Sequence, residues 1–243
     1  MPPSYLLNPF EIMSYIMSYC EFTPESVLLN GKKIFDTKGK FFIVNNFLSA
    51  LYEHLEIDYR RFYKMDALSK FGFLASEILL AGSDREQPKT DMGIILFNDN
   101  ASLNADRNFQ KTIQHKDDFF PSPAEFVYTL PNIVTGEIAI RNKIYGETIF
   151  YITHYVMADI IENIVDDVMS STGLNCALVG WLHVDVKDNT MEGWMLLCAT
   201  SISDIDTEED KQILKVSKGL EYICSAKNTV QFNQYSLSDL NET

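Results

Sequence analysis

Positive charge is scarce in this 243-residue sequence: 20 Lys and Arg face 34 Asp and Glu, leaving a formal net charge of −14. That balance opposes binding to nucleic acid or to an anionic membrane surface through bulk charge, so neither is an expected partner. Long apolar runs are missing too. No stretch approaches the roughly 18 uninterrupted apolar residues of a membrane span. Met1 to Met13 has no cationic start ahead of an apolar run. The expected location is the cytoplasm. Cysteine is sparse: Cys20, Cys176, Cys198 and Cys224 are far apart and form no CxxC pair. Reduced thiols follow, with neither a disulfide framework nor a zinc site. His54, His115, His154 and His183 include no pair at i and i+4, which argues against a metal site. Neither GxGxxG nor GxxxxGK[ST] occurs, so no phosphate-cradling loop and no cofactor is expected.

What is present is a core. With 46% hydrophobic residues the chain can bury one large domain or two small ones. Ser14 to Tyr19 reads as a first strand, and Pro24 to Lys40 as a turn-rich stretch with tips at Asn30-Gly31 and Lys38-Gly39. Helical spacing runs from Asn46 to Leu55, and more strongly from Asp66 to Leu80 with Asp66 as N-cap. Met92 to Phe97 is apolar throughout, as in a strand covered on both faces. Asn98 to Asn108 reads as a loop leading to a short helix at 109–114. A compact helix at Ile133 to Arg141, a strand at Thr148 to Thr153 and an amphipathic helix at Met157 to Met169 follow. Asn175 to Val184 and Gly193 to Ser201 form an antiparallel hairpin around Lys187-Asp188-Asn189. Glu208 to Ile223 reads as a last helix, before a loose acidic tail over 226–243. Strands alternating with helices predict an α/β fold with a mixed, mostly parallel five-stranded sheet in α/β/α layers.

Certain landmarks fall in a fixed order. Lys64-Met65-Asp66 opens the strong helix; the Met92 to Phe97 strand ends in Asn98-Asp99-Asn100; Ser122-Pro123, Asn132, Gly136 and Gly146 come next, and Ala177-Leu178-Val179-Gly180 closes the series. Over residues 12 to 185 this order resembles the N-terminal half of the β-ketoacyl synthases of the thiolase superfamily. The resemblance implies a thiolase-like half domain over 1–225. In active members a Gly-Pro leads through a short strand to Thr-Ala-Cys at the start of a buried helix, where the helix N-terminus lowers the thiol pKa. Here Gly146-Glu147 leads to Thr153-His154-Tyr155, so Tyr155, flanked by Thr153 and His154, stands where the nucleophile would be. No acyl thioester can form on it. The family's two catalytic histidines come from a second half, and this sequence ends soon after the first.

The resemblance therefore implies a non-catalytic partner, similar to a chain length factor, for an active β-ketoacyl synthase. The pathways implied are type II fatty acid, polyketide, or aryl-polyene and flexirubin-like pigment synthesis. The strand formed by Glu147, Thr148, Ile149, Phe150, Tyr151 and Ile152 would be a sheet edge continued by the partner, and Phe126 and Tyr128 would bound an acyl tunnel. Because carrier proteins are acidic, a subunit at −14 would meet the acyl carrier protein only indirectly, through the synthase. A homodimeric acyl-binding module is the alternative. A third reading, less favoured, is a Cys-dependent acyltransferase using Cys176 or Cys198 with His154, His183 or Asp185.

Overall fold

The computed structural model describes residues 15–40, 42–154 and 158–200. Seven strands form one mixed sheet: β1 (Tyr15–Phe22), β2 (Ser26–Leu29), β3 (Lys32–Asp36), β4 (Met92–Asn98), β5 (Thr148–Ile152), β6 (Cys176–Asp185) and β7 (Thr190–Ala199). Their order across the sheet is β3-β2-β1-β7-β6-β4-β5. The helices are α1 (Val44–His54), α2 (Ala67–Leu79), α3 (Leu103–Ile113), α4 (Pro123–Val127), α5 (Ile133–Asn142) and α6 (Ala158–Thr172). None of them is long and apolar enough to cross a membrane.

Layering follows from the period-two alternation of strand side chains. On β4, Ile94 and Leu96 join the core beneath α1, α2 and α5, while Ile95 and Phe97 join the core beneath α6. Covered on both faces, β4 needs no polar positions, which explains its continuous apolar run. Asp66 caps α2 as expected, its Oδ1 accepting the Ser69 N–H at 2.9 Å. Ser122 does the same for α4, its Oγ accepting the Glu125 N–H at 3.3 Å, with Pro123 in the first turn where no N–H is needed.

The layered α/β architecture is as expected, but the sheet has seven strands and not five, and only β4–β5 and β4–β6 are parallel. The extra strands come from the stretch read as turns. Asn30 and Gly31 both take positive φ (49° and 75°), the geometry of a tight two-residue hairpin, and β2 and β3 flank it. Lys32-Lys33 hides β3 from a hydrophobic-pattern reading, yet such charge suits a strand at the sheet edge. The helix expected at 109–114 begins earlier, at Leu103. Its inward side is built partly on Asn104, whose Nδ2 donates to the Val184 carbonyl at 2.7 Å while its Oδ1 accepts the Val186 N–H at 2.9 Å. Its apolar spacing is confined to Ala105, Phe109 and Ile113, too sparse to mark the first turn. The helix expected over 208–223, the tail over 226–243 and Tyr155 lie outside the described residues.

Candidate functional site

The three parallel strands β4, β5 and β6 end side by side, and the residues that follow them meet there. Asn98 shapes the first turn: its Oδ1 accepts the Ala101 N–H and its Nδ2 donates to the Ala101 carbonyl, both at 2.9 Å. This presents Asp99 to β6, where Asp99 Oδ1 lies 2.8 Å from His183 Nδ1. His183 Nε2 lies 3.1 Å from Thr190 Oγ1. The Asp99 bond raises the His183 pKa above its ordinary value against the opposing effect of burial. For Asp99 burial is the largest single effect and acts upward, but the His183 bond and charge, a backbone N–H and His154 together outweigh it and the carboxyl ends below the usual range. On the other side the Thr153 N–H donates to the Asn98 carbonyl at 2.8 Å, and His154 adds its field at Asp99. Thr153 and His154 thus stand beside an Asp99–His183 pair that the sequence alone did not join; the sequence grouped His183 with Asp185. Asp185 instead receives both contacts of Arg107, at 2.8 and 2.9 Å, and caps the β6–β7 turn through the Lys187 and Asp188 N–H groups.

Glu147 to Ile152 lead into and form β5, the last strand of the sheet. Ile149 and Tyr151 pack toward α6, Phe150 toward α2 and α5, and Ile152 is 57% exposed. The Ile94 N–H donates to the Glu147 carbonyl at 2.9 Å, so the parallel ladder uses the odd-numbered β5 backbone groups. The Thr148, Phe150 and Ile152 N–H groups point away from β4. Entry into β5 passes through Gly146, where a Cβ would overlap the Met92 carbonyl oxygen; only glycine allows this close crossing.

Phe126 and Tyr128 diverge although they are neighbours in sequence. Phe126, on α4, is 53% exposed, its ring 5.3 Å from that of Phe109. Phe119, Phe120, Val127 and Leu130 are exposed as well. Tyr128 turns inward and donates its hydroxyl to Glu137 Oε1 at 3.2 Å, which also accepts Arg61 Nη2 at 2.9 Å. Burial, with Glu137 adding to it, pushes the Tyr128 phenol up to about 12.

Tyr128 also lines a groove of about 910 Å³ walled by the start of α2, α3, α4 and the β6–β7 turn. Lys64, Lys70, Arg107, Lys111 and Lys187 line it against only Asp66, Asp106 and Glu125. The expectation that a subunit at −14 offers no basic docking surface is weakened here, because cations dispersed along the chain are gathered in this groove.

The thiols fit no nucleophile. Burial drives the Cys20 and Cys198 pKa values far upward, and burial together with the nearby Asp91 carboxylate pushes Cys176 up to about 11. His183 is committed to Asp99 and Thr190, and no histidine acts on Cys20, Cys176 or Cys198, so the Cys–His pairing of the Cys-dependent reading does not form among the described residues. Cys176 is therefore expected to react with iodoacetamide at pH 7 roughly 100-fold or more slowly than a free cysteine, and to speed up only as pH nears 11. Mass spectrometry of a Cys224→Ser variant checks this; fast labelling at pH 7 would overturn it.

No family model and no curated protein matches the sequence. Solved structures do. The ishigamide ketosynthase/chain length factor aligns over 80% of this chain and 63% of its own, with a TM-score of 0.56 at 14% identity. The ketosynthase ApeO in complex with its chain length factor ApeC, from Xenorhabdus doucetiae, aligns over 78% of this chain and 79% of the matched one, with a TM-score of 0.51 at 10% identity. The AntDE:AntF complex of a type II polyketide acyl carrier protein with its ketosynthase aligns over 77% and 62%, with a TM-score of 0.56 at 13% identity. This chain thus spans less than two thirds of two of these three. The strand order, the two-sided helical cover and these alignments together give the chain the thiolase-like fold of ketosynthases and chain length factors.

Proposed function

We propose that this chain is a non-catalytic, chain-length-factor-like partner of an active β-ketoacyl carrier-protein synthase, contributing a dimer interface and part of an acyl tunnel wall. The observation that carries the reading is β5. Among the described residues it ends the sheet, presents the Thr148, Phe150 and Ile152 N–H groups outward, and carries apolar side chains on both faces. Unpaired edges of this kind attract another strand, and a partner's equivalent strand would continue the sheet across the interface. Exposed Phe119, Phe120, Phe126 and Leu130 add apolar surface of the sort an interface covers. Tyr155 in the nucleophile position supports the non-catalytic role. Two of the similar solved structures pair a ketosynthase with a chain length factor, which favours a heteromer over two copies of this chain.

Co-expression with a β-ketoacyl synthase of the same organism is expected to yield a 1:1 heteromer through affinity capture and size exclusion. A stable homodimer, with no synthase retained, would sink the reading in favour of the self-assembling module.

A further inference from the structure

We propose that Asp99, His183 and Thr190 form a proton-dependent clamp that fastens the turn after β4 to the β6–β7 hairpin and, through that turn, steadies the Thr153–Asn98 bond that ends the β4–β5 pairing. The geometry sets its chemistry. A carboxylate only accepts, so the 2.8 Å contact with Asp99 Oδ1 keeps a proton on His183 Nδ1 wherever Asp99 is ionised. The proton gained or lost is therefore the one on Nε2, which lies 3.1 Å from Thr190 Oγ1. Charged, Nε2–H donates to the Thr190 hydroxyl; neutral, Nε2 accepts from it. Both contacts survive the titration. What disappears is the charge assistance in the Asp99 bond, which makes such a bond roughly twice as strong as a neutral one.

Among the described residues, the surroundings favour the charged form. The Asp99 bond comes first in raising the His183 pKa against burial, followed by Glu192, directly across from it in the β6–β7 register, and Asp185 on its own strand. Arg107 is paired with Asp185, and His154 acts on Asp99. A group raised above its unfolded value stabilises fully below about pH 6.5, the ordinary histidine value, and loses that contribution as pH rises through the higher folded value. Asp99, held low, contributes above about pH 3.9 and is lost only in acid. The clamp is thus tight in mild acid and relaxes as the solution turns alkaline. The turn it holds needs holding: Ala101 takes φ of 50°, a strained angle for a residue with a side chain, and the Asn98 carbonyl at its start accepts the Thr153 N–H. Asn100 Nδ2 ties the same turn to the Val184 carbonyl at 2.8 Å and does not titrate, so alkaline pH loosens the turn without releasing it.

The test is nitrogen NMR and amide exchange on the full chain. Neutral His183 is expected as the Nδ1–H tautomer, and protection of the Ala101 and Thr153 N–H groups is expected to fall roughly threefold or more from about pH 6 to about pH 9. Asp99→Asn keeps an acceptor and removes the charge. It is expected to bring His183 titration back toward the ordinary value and to abolish most of that fall, leaving only what His54, His115 and His154 contribute. A neutral His183 carrying its proton on Nε2, which is read on wild type and needs no variant, overturns the clamp; so does an equal fall in protection in Asp99→Asn. The consequence for assembly rests on the partner reading above: the ratio of wild-type to Asp99→Asn synthase capture is expected to drop over the same pH range. A steady ratio alongside falling protection leaves the clamp standing and counts against β5 as the partner edge.

Discussion

Replacing Ile152 or Thr148 with proline is expected to abolish assembly with a synthase while leaving the chain folded. The asymmetry comes from backbone direction. In the β4–β5 ladder the Thr153 N–H donates to Asn98, and with a period of two the N–H groups of Thr148, Phe150 and Ile152 face the other way. Proline at 148 or 152 removes a donor that β4 never used, and an edge strand tolerates the fixed φ. Both side chains are exposed, so little core packing is lost. A partner strand added to that edge would lose a ladder bond and meet the pyrrolidine ring, and affinity should fall roughly 100-fold or more. Proline at Ile149 or Tyr151 is the contrast, since it breaks the β4 pairing itself and should lower the melting temperature. Capture of synthase by the Ile152→Pro and Thr148→Pro variants at wild-type levels, with melting unchanged, would remove β5 from the interface.

The sequence made some of this legible and hid the rest for physical reasons. Wherever burial imposes a period or a cap satisfies an N–H, the pattern can be read directly: α2 with Asp66, the double-sided β4, and the β6–β7 hairpin around Lys187 to Asn189. Edge strands carry no such pattern. β3 survives with Lys32 and Lys33 because one flank needs no cover, and it read as turn. The start of α3 was read as loop because an asparagine, not a hydrophobe, holds part of its inward side. The site was legible as landmarks and not as contacts. Thr153, His154 and β5 could be placed by order along the chain, whereas Asp99 and His183 are 84 positions apart and meet only because parallel strands end together. The gathering of lysines was invisible for the same reason: Lys64, Lys111 and Lys187 share no segment, and net charge has no direction until the chain is folded.

Arg141→Met is expected to be among the most damaging single changes, because one guanidinium ties the groove side of the molecule to the β5 side. Arg141 on α5 binds Glu77 on α2 twice, Nε to Oε1 at 3.0 Å and Nη2 to Oε2 at 3.2 Å, and stacks over the Tyr59 ring at 4.7 Å. The Glu77 side chain is only 4% exposed, and its other partner is Arg85 at 2.7 Å. Methionine preserves much of the side-chain volume but leaves a buried carboxylate with one cation in place of two. Breaking a buried pair from one side costs about 3–5 kcal/mol, since the stranded charge keeps its desolvation penalty. Arg141→Lys should fall between, because a point charge cannot reproduce the two-pronged geometry. Urea unfolding measures the ordering, and a loss under about 1 kcal/mol for Arg141→Met would contradict it. α5 packs on α2, β4 and β5 alike, so the same variant should also weaken synthase capture under conditions where it stays folded. Arg85 holds the same carboxylate and also donates to Asn142 Oδ1 on α5, so Arg85→Met is expected to cost comparable stability and to weaken synthase capture too.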